Sequence, residues 1–362
     1  MSDLNVLTQE VKKSKNAALL LGAGISIPIG IPGGYRLPLE FAETHSSLMA
    51  TLGLEKALQR AKSTDDWPTH AEFVRQLVAA FLVDLNLQRA LSGWLARYPH
   101  FAGPISTDHP FDEACSDEHA IFVLAWLQGH FSHMITTNWD FQLEWHVSAL
   151  HDQVYTGELF QSLQLKLKRG ETCYLDPQQL FVLEPLDEDD LAWNSRWDII
   201  SNADDLDDVQ PWSRIIWKIH GSPFLVACPK CGAWGRWKLS EDLEIGHPCP
   251  EHGDTALRPE IIFWGAGIDT SHPLVWREVS RRLCTSDLIV VCGLSGSGSD
   301  AYIRDVIEGH DNAWVVGPNA GEWNIEQVNY LTANASDLAM ALLPLLLSPP
   351  ALLDIGARLK SP

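Results

Sequence analysis

Four residues of this sequence have the type and spacing to hold one tetrahedral metal ion. Cys228 and Cys231 lie three apart, and after a further seventeen residues Cys249 and His252 repeat that spacing. Two knuckles with two ligands each are what a closed structural zinc site requires. Four protein ligands leave no open position for water, so the ion is expected to staple a small module and not to catalyse. His247 is an alternative fourth ligand. A second group sits at the ends of short apolar runs. His220, in Trp217–Gly221, is a candidate general base, because an imidazole titrates near neutrality. Asn138, in Ile135–Asp140, carries an amide that donates and accepts together, and so can orient a ribose hydroxyl or a water beside a reacting carbon. Asp140 can anchor that loop or act on a ligand. Gly22, Ala23, Gly24 and Ser26 follow another run, where glycines let a backbone approach a phosphate at a helix N-terminus. Gly293–Ser299 and Gly317–Asn319 suit backbone contact with the adenosine and phosphate parts of a dinucleotide. Singly, each is also what a tight turn or a satisfied structural histidine looks like. The third glycine of the redox dinucleotide fingerprint is missing at its usual spacing, which disfavours an ordinary dehydrogenase.

The elements that must carry these residues are legible as buried strands: Ala17–Leu21, His133–Thr136, Arg214–Ile219, Glu260–Phe263, Asp287–Val291 and Ala313–Val316. Helical patterns separate several of them, including Phe73–Leu85 and Ala120–Phe131, with a loop over Tyr98–Asp117. This alternation predicts an α/β fold with a mostly parallel, doubly wound sheet. Ligands of such sheets bind at the carboxyl ends of the strands, near a switch in strand order. The apolar run Leu338–Leu347 contains Pro344 and reads as a docked helix, not a membrane span.

At 362 residues the chain can bury a sizeable core. A formal charge of −21 argues against a surface built to grip nucleic-acid phosphates. Nine of the acidic residues fall in 186–210 with a single basic one, Arg196, among them. That insertion reads as a solvated loop or, alternatively, a partner-docking segment. No signal-peptide pattern is present, and the seven cysteines suit a reducing compartment, so a cytoplasmic location is expected.

The order of these motifs, over roughly residues 17–340, resembles the sirtuin family. Gly22, Ala23, Gly24 and Ser26 match the family's Gly-Ala-Gly-x-Ser segment. Arg36, after Gly30-Ile31-Pro32, resembles its cofactor-loop arginine. Asn138 and Asp140 match its Asn-x-Asp, and His220 its catalytic histidine. The zinc knuckles follow the His-Gly pair directly. The resemblance implies a Rossmann-like NAD-binding core over 17–36, 118–225 and 256–340, a helical module or lid at 40–117, a zinc module at 226–255 and a tail at 341–362, within one sirtuin-like domain. It implies that Asn138, His220 and Asp140 are catalytic. Gly22, Ala23, Gly24, Ser26, Arg36 and Thr137 would join Asn138 and Asp140 at the pyrophosphate and ribose, with Gly293, Ser295 and Asn319 at the adenosine half. The family's peptide-clamp segments are replaced here by Phe263–Gly267 and Gly293–Ser297. That departure, with the Thr-Thr-Asn-x-Asp variant at 136–140, resembles the bacterial sirtuin-like NAD hydrolases of antiphage defence. The implied activity is hydrolysis of NAD to nicotinamide and ADP-ribose. The rivals are an NAD-dependent protein deacylase and a non-catalytic NAD-sensing subunit. Restraint of such a hydrolase implies a homo-oligomer or a regulatory partner.

Overall fold

Strand β1 (Ala17–Leu21) is buried along its whole length. Its residues alternate between two cores. Ala17, Leu19 and Leu21 face one apolar cluster, while Ala18 and Leu20 face another. A strand covered on both faces has no polar side to display, which is why it reads as an unbroken apolar run. The computed structural model describes residues 3–33, 36–64, 66–95, 98, 117–140, 142–143, 216–228, 230, 234–236, 245–249, 252–261, 273–296 and 301–346. Cys231, the acidic insertion 186–210 and the Phe263–Gly267 segment lie outside the described residues.

Around β1 stand β2 (His133–Thr136), β3 (Ile216–Lys218), β7 (Leu288–Cys292), β8 (Ala313–Val316) and β9 (Asn329–Leu331), in the order β3-β2-β1-β7-β8-β9. Every pairing in this sheet is parallel. The chain builds outward from β1 in one direction and from β7 in the other, so the strand order switches between these two neighbours. Helices α1 (Asp3–Lys13), α7 (Asp117–Leu127) and α10 (Ala335–Leu346) cover one face. Helices α8 (Pro273–Thr285) and α9 (Ala301–Glu308) cover the other. Leu338, Leu342, Leu345 and Leu346 are buried, so the apolar C-terminal run is indeed a docked helix as far as Leu346. Among the described residues no helix is long and apolar enough to cross a membrane.

A separate apolar core is built by α2 (Arg36–Thr44), α3 (Ser46–Thr51), α4 (Glu55–Lys62), α5 (Trp67–Phe81) and α6 (Leu85–Leu95). The apolar-rich helical pattern over Phe73–Leu85 falls on two helices, α5 and α6. Asp66 starts α5 by accepting from the Thr69 N–H at 3.2 Å, and Asp84 starts α6 by accepting from the Leu87 N–H at 2.8 Å. Two such caps define two helices, with Leu82 and Val83 exposed at the turn between them.

One expected strand belongs elsewhere. The Glu260–Phe263 run contributes β6 (Arg258–Ile261), which joins β4 (Gly221–Ala227) and β5 (Trp234–Arg236) in a small antiparallel sheet ordered β5-β4-β6. A four-residue apolar run carries no sign of which sheet it will join. Here β4 starts at the residue after His220, and β6 returns alongside it.

The β1 and β7 ends meet backbone to backbone. The Gly22 N–H donates to the Cys292 carbonyl at 2.9 Å and the Gly24 N–H to the Gly293 carbonyl at 2.8 Å. A Cβ on Gly22 would lie 2.6 Å from the Gly293 oxygen, and one on Gly293 would lie 2.8 Å from the Ile25 nitrogen. Gly293 also has φ of +76°, a left-handed backbone that costs an L-residue about 1–2 kcal/mol. Gly293→Ala should therefore destabilise the protein by more than that amount, measured as a lower denaturation midpoint. Gly317→Ala, where a Cβ would meet nothing within 4 Å, should change stability little.

Candidate functional site

At the β1/β7 switch a cleft of about 400 Å³ opens above the strand ends. It is lined by Ala23, Gly24, Ser26 and Arg36 from the segment after β1, by Thr137, Asn138 and Asp140 after β2, and by His220 after β3. Gly293 and Ser295 after β7 and Asn319 after β8 complete it. Parallel strands whose carboxyl ends share one edge bring together residues as far apart in sequence as Ala23 and Ala320. Gly22 is not among the lining residues. Its missing side chain is explained by the contact with the β7 turn, and the same contact accounts for Gly24 and Gly293.

Ser26 is fully buried and is the hub beneath the cleft. Its hydroxyl donates to Asp140 Oδ2 at 3.0 Å and accepts from Asn138 Nδ2 at 3.0 Å, with His119 Nε2 at 3.2 Å. A serine has one proton, and the carboxylate can only accept, so His119 is the donor and carries its proton on Nε2. Burial pushes the His119 pKa down, and so does the Lys218 charge, against the pull of Asp140 and Glu118. Asp140 is spent on holding the loop. Oδ1 accepts from the Gln142 N–H at 3.2 Å, and its backbone carbonyl accepts from Lys218 Nζ at 2.5 Å. Trp139, which also borders the cleft, is buried against the core of helices α2–α6. The loop is thus pinned on both sides.

Asn138 is 4 % exposed, and its amide nitrogen is fixed on Ser26. Its Oδ1 is buried with no hydrogen-bond partner among the described residues. An orphaned buried acceptor costs about 1–3 kcal/mol, and a ligand hydroxyl or water would remove that cost. His220 is buried, which lowers its pKa to about 4 despite a hydrogen bond with the Thr137 backbone. Its Nε2 lies 2.6 Å from Tyr302 Oη on α9.

His119, Lys218 and Tyr302 are not among the residues expected from the sequence. Lys218 had a signal: it sits two residues before His220, on the same side by the period of a strand, in an otherwise apolar run. His119 heads the apolar α7 and reads as a core histidine. Tyr302, 82 positions from His220, had none.

No protein-family model matches the sequence, and no curated protein does. Solved structures do. One is the ADP-ribose complex of a serine-to-alanine variant of a Sir2 homologue. It is 16 % identical, with 94 % of this chain and 97 % of that one aligned at a TM-score of 0.52. Another, the ADP-ribose complex of a histidine-to-asparagine variant of a Sir2 homologue, is 15 % identical over 94 % of this chain and 95 % of that one, at 0.51. The chain has the Sir2 fold.

The Sir2-fold chain carries its metal-ligand candidates beside the small antiparallel sheet. The ligand atoms of Cys228, Cys249 and His252 lie within 4.8 Å of one another. Cys249 Sγ and His252 Nδ1 are 4.0 Å apart, a separation two ligands of one tetrahedral ion can share. The Cys249–His252 turn closes a hairpin through the Thr255 N–H to His252 carbonyl bond and the Cys249 N–H to Thr255 carbonyl bond. The Lys230 amide donates to Cys228 Sγ at 3.4 Å, favouring the thiolate a metal needs. Arg89 of α6 donates twice to the Ile245 carbonyl, at 3.0 and 3.1 Å, which ties this module to the helices. These residues fit a structural ion. His247 is exposed and outside the cluster.

Three measurements test these groups. The purified protein should contain about one zinc per chain, and a strong chelator should lower its melting temperature. Acid should also destabilise it through the buried histidines. The unfolded chain binds protons at His220 below about 6.5, while the native site resists until about 4. Stability is therefore lost progressively as pH falls through that window, and His119 adds in the same direction. His220→Gln should make the denaturation midpoint less dependent on pH between 7 and 4.5.

Proposed function

We propose that this protein hydrolyses NAD at the bond between nicotinamide and ribose, releasing nicotinamide and ADP-ribose. The observation that carries the reading is Asn138. Its amide nitrogen is held by Ser26, its oxygen is a buried acceptor with no partner among the described residues, and the residue lines the cleft at the strand-order switch. Solved structures of this fold include ADP-ribose complexes of Sir2 homologues, and that chemistry fits the groups around this cleft.

In the proposed reaction the ribose C1′–N bond breaks, and its electron pair leaves with neutral nicotinamide. The ribose becomes oxocarbenium-like, a water oxygen bonds to C1′, and one water proton is released. Such a reaction needs orientation and charge stabilisation more than a strong nucleophile. Asn138 Oδ1 accepts from the water or a ribose hydroxyl and so fixes its approach. His220 is neutral and lies at the cleft, where it accepts a proton from, or orients, a ribose hydroxyl. Arg36, exposed at the start of α2, pairs with the pyrophosphate. Ala23 and Gly24 offer the turn after β1, and Gly293, Ser295 and Asn319 the adenosine side. Ser26 and Asp140 act through Asn138.

A hydrolase of NAD would deplete the cellular pool when triggered, the behaviour of the bacterial antiphage enzymes that the Thr136–Asp140 motif resembles. Restraint by self-association or a regulatory partner belongs to the same reading.

Purified protein incubated with NAD alone should release nicotinamide and ADP-ribose. Asn138→Ala and His220→Ala should each slow release by about 100-fold or more, with circular dichroism unchanged. NAD consumption that starts only when an acylated peptide is added would replace hydrolysis with deacylation. Tight NAD binding without turnover would make the chain a sensor.

A further inference from the structure

Both ring nitrogens of His220 are occupied. One is hydrogen-bonded to the Thr137 backbone. The Thr137 N–H is already spent on the Leu21 carbonyl at 3.0 Å, so the group facing the imidazole is the Thr137 carbonyl. A carbonyl only accepts, and a buried neutral imidazole has one proton to give, so that nitrogen is the N–H. Nε2 is left as a bare lone pair, and Tyr302 Oη, 2.6 Å away, donates to it.

Tyr302 is well placed to hold this bond. It sits in the first turn of α9, half-buried, with its ring packed on the apolar cluster that includes Trp217, Ile303 and Trp323. The two rings meet edge-on at 6.0 Å and 62°. His220 lines the cleft and Tyr302 is not among the lining residues. A substrate hydroxyl therefore meets an imidazole whose basic nitrogen is already engaged by Tyr302.

We propose that Tyr302 is a positioning residue that latches His220. Its hydroxyl holds Nε2 while the cleft is empty, and a sugar hydroxyl of the ligand takes its place before the imidazole accepts a proton. The inference rests on the NAD reading for the identity of that hydroxyl. The exchange is balanced: the Tyr302 O–H to Nε2 hydrogen bond breaks, a ribose O–H to Nε2 bond forms, and Tyr302 keeps its proton. Asn138 and the Ser26 hub take no part, because their hydrogen bonds lie on the β1/β2 side of the cleft.

Tyr302→Phe removes only the hydroxyl and keeps the packed ring, so it tests the latch without emptying the core. Wild type, Tyr302→Phe and the Tyr302→Phe/His220→Ala double variant would be compared as full-length chains. Two readouts apply: nicotinamide release from NAD, and ADP-ribose affinity by calorimetry. The latch predicts that Tyr302→Phe binds ADP-ribose about fivefold more tightly, the equivalent of one neutral hydrogen bond no longer competed away. It also predicts a fall in KM of similar size, and loss of that gain in the double variant. A supporting role for Tyr302 would instead lower kcat and leave affinity equal or weaker, and that overturns the latch. If no protein releases nicotinamide, the hydrolase reading fails, while ADP-ribose affinity still decides the latch. Absence of ADP-ribose binding by both wild type and Tyr302→Phe overturns it as well.

Discussion

The Gly24 amide donating to the Gly293 carbonyl is the contact on which this site is built. It brings the turn after β1 against the turn after β7 at the point where the strand order reverses. No side chain can stand between them, because a Cβ on either turn would meet backbone atoms at 2.6–2.9 Å. Everything in the cleft is referenced to this interlock. Ser26 lies two residues beyond Gly24, and Gly293 and Ser295 present the opposite wall. The glycine pattern thus has a structural cause in addition to any phosphate contact, and the two uses share the same backbone.

From Ser26 the constraint passes to the chemistry. A fully buried hydroxyl receives Asn138 and His119 and gives its proton to Asp140, so four side chains from three segments are fixed by one atom pair each. In a low-dielectric interior such bonds are stronger, and a missing partner costs more. The same burial keeps His119 and His220 neutral. Asn138 Oδ1 differs from these, a buried acceptor with no partner among the described residues, on a residue that lines the cleft. The site is satisfied where it must hold still and unsatisfied at an atom facing its chemistry.

The Cys228, Cys249 and His252 cluster works on a different scale. It organises a hairpin and a small antiparallel sheet that holds little apolar material of its own: the described core there is Cys228, Ile245, Cys249 and Leu257. A metal ion held by these residues would supply the cross-linking that so small a core lacks. Arg89 then transmits that order to the helices.

The strands of the main sheet were legible because burial on both faces writes an unbroken apolar run, and Ala17–Leu21, His133–Thr136 and Ala313–Val316 are found where that pattern puts them. Strand β9, with the exposed Asn329, carries no such run and was not. The Phe73–Leu85 pattern hid a helix start at Asp84, because a turn of two exposed apolar residues, Leu82 and Val83, looks like continued helix. The glycines, Ser26, Asn138, Asp140 and His220 could be placed at the ends of apolar runs from the sequence, since a parallel sheet gathers its carboxyl ends on one edge, while Arg36 and Thr137 entered only through the resemblance to sirtuins. What the sequence by itself determined was therefore the set of groups available and the edge on which they meet. Only the tertiary structure decided which hydrogen bonds they make. The Ser26 proton goes to Asp140, Lys218 holds the Asp140 carbonyl, and Tyr302 on a distant helix takes the His220 lone pair. Those bonds join residues 78 to 114 positions apart, and local periodicity carries no information over such separations.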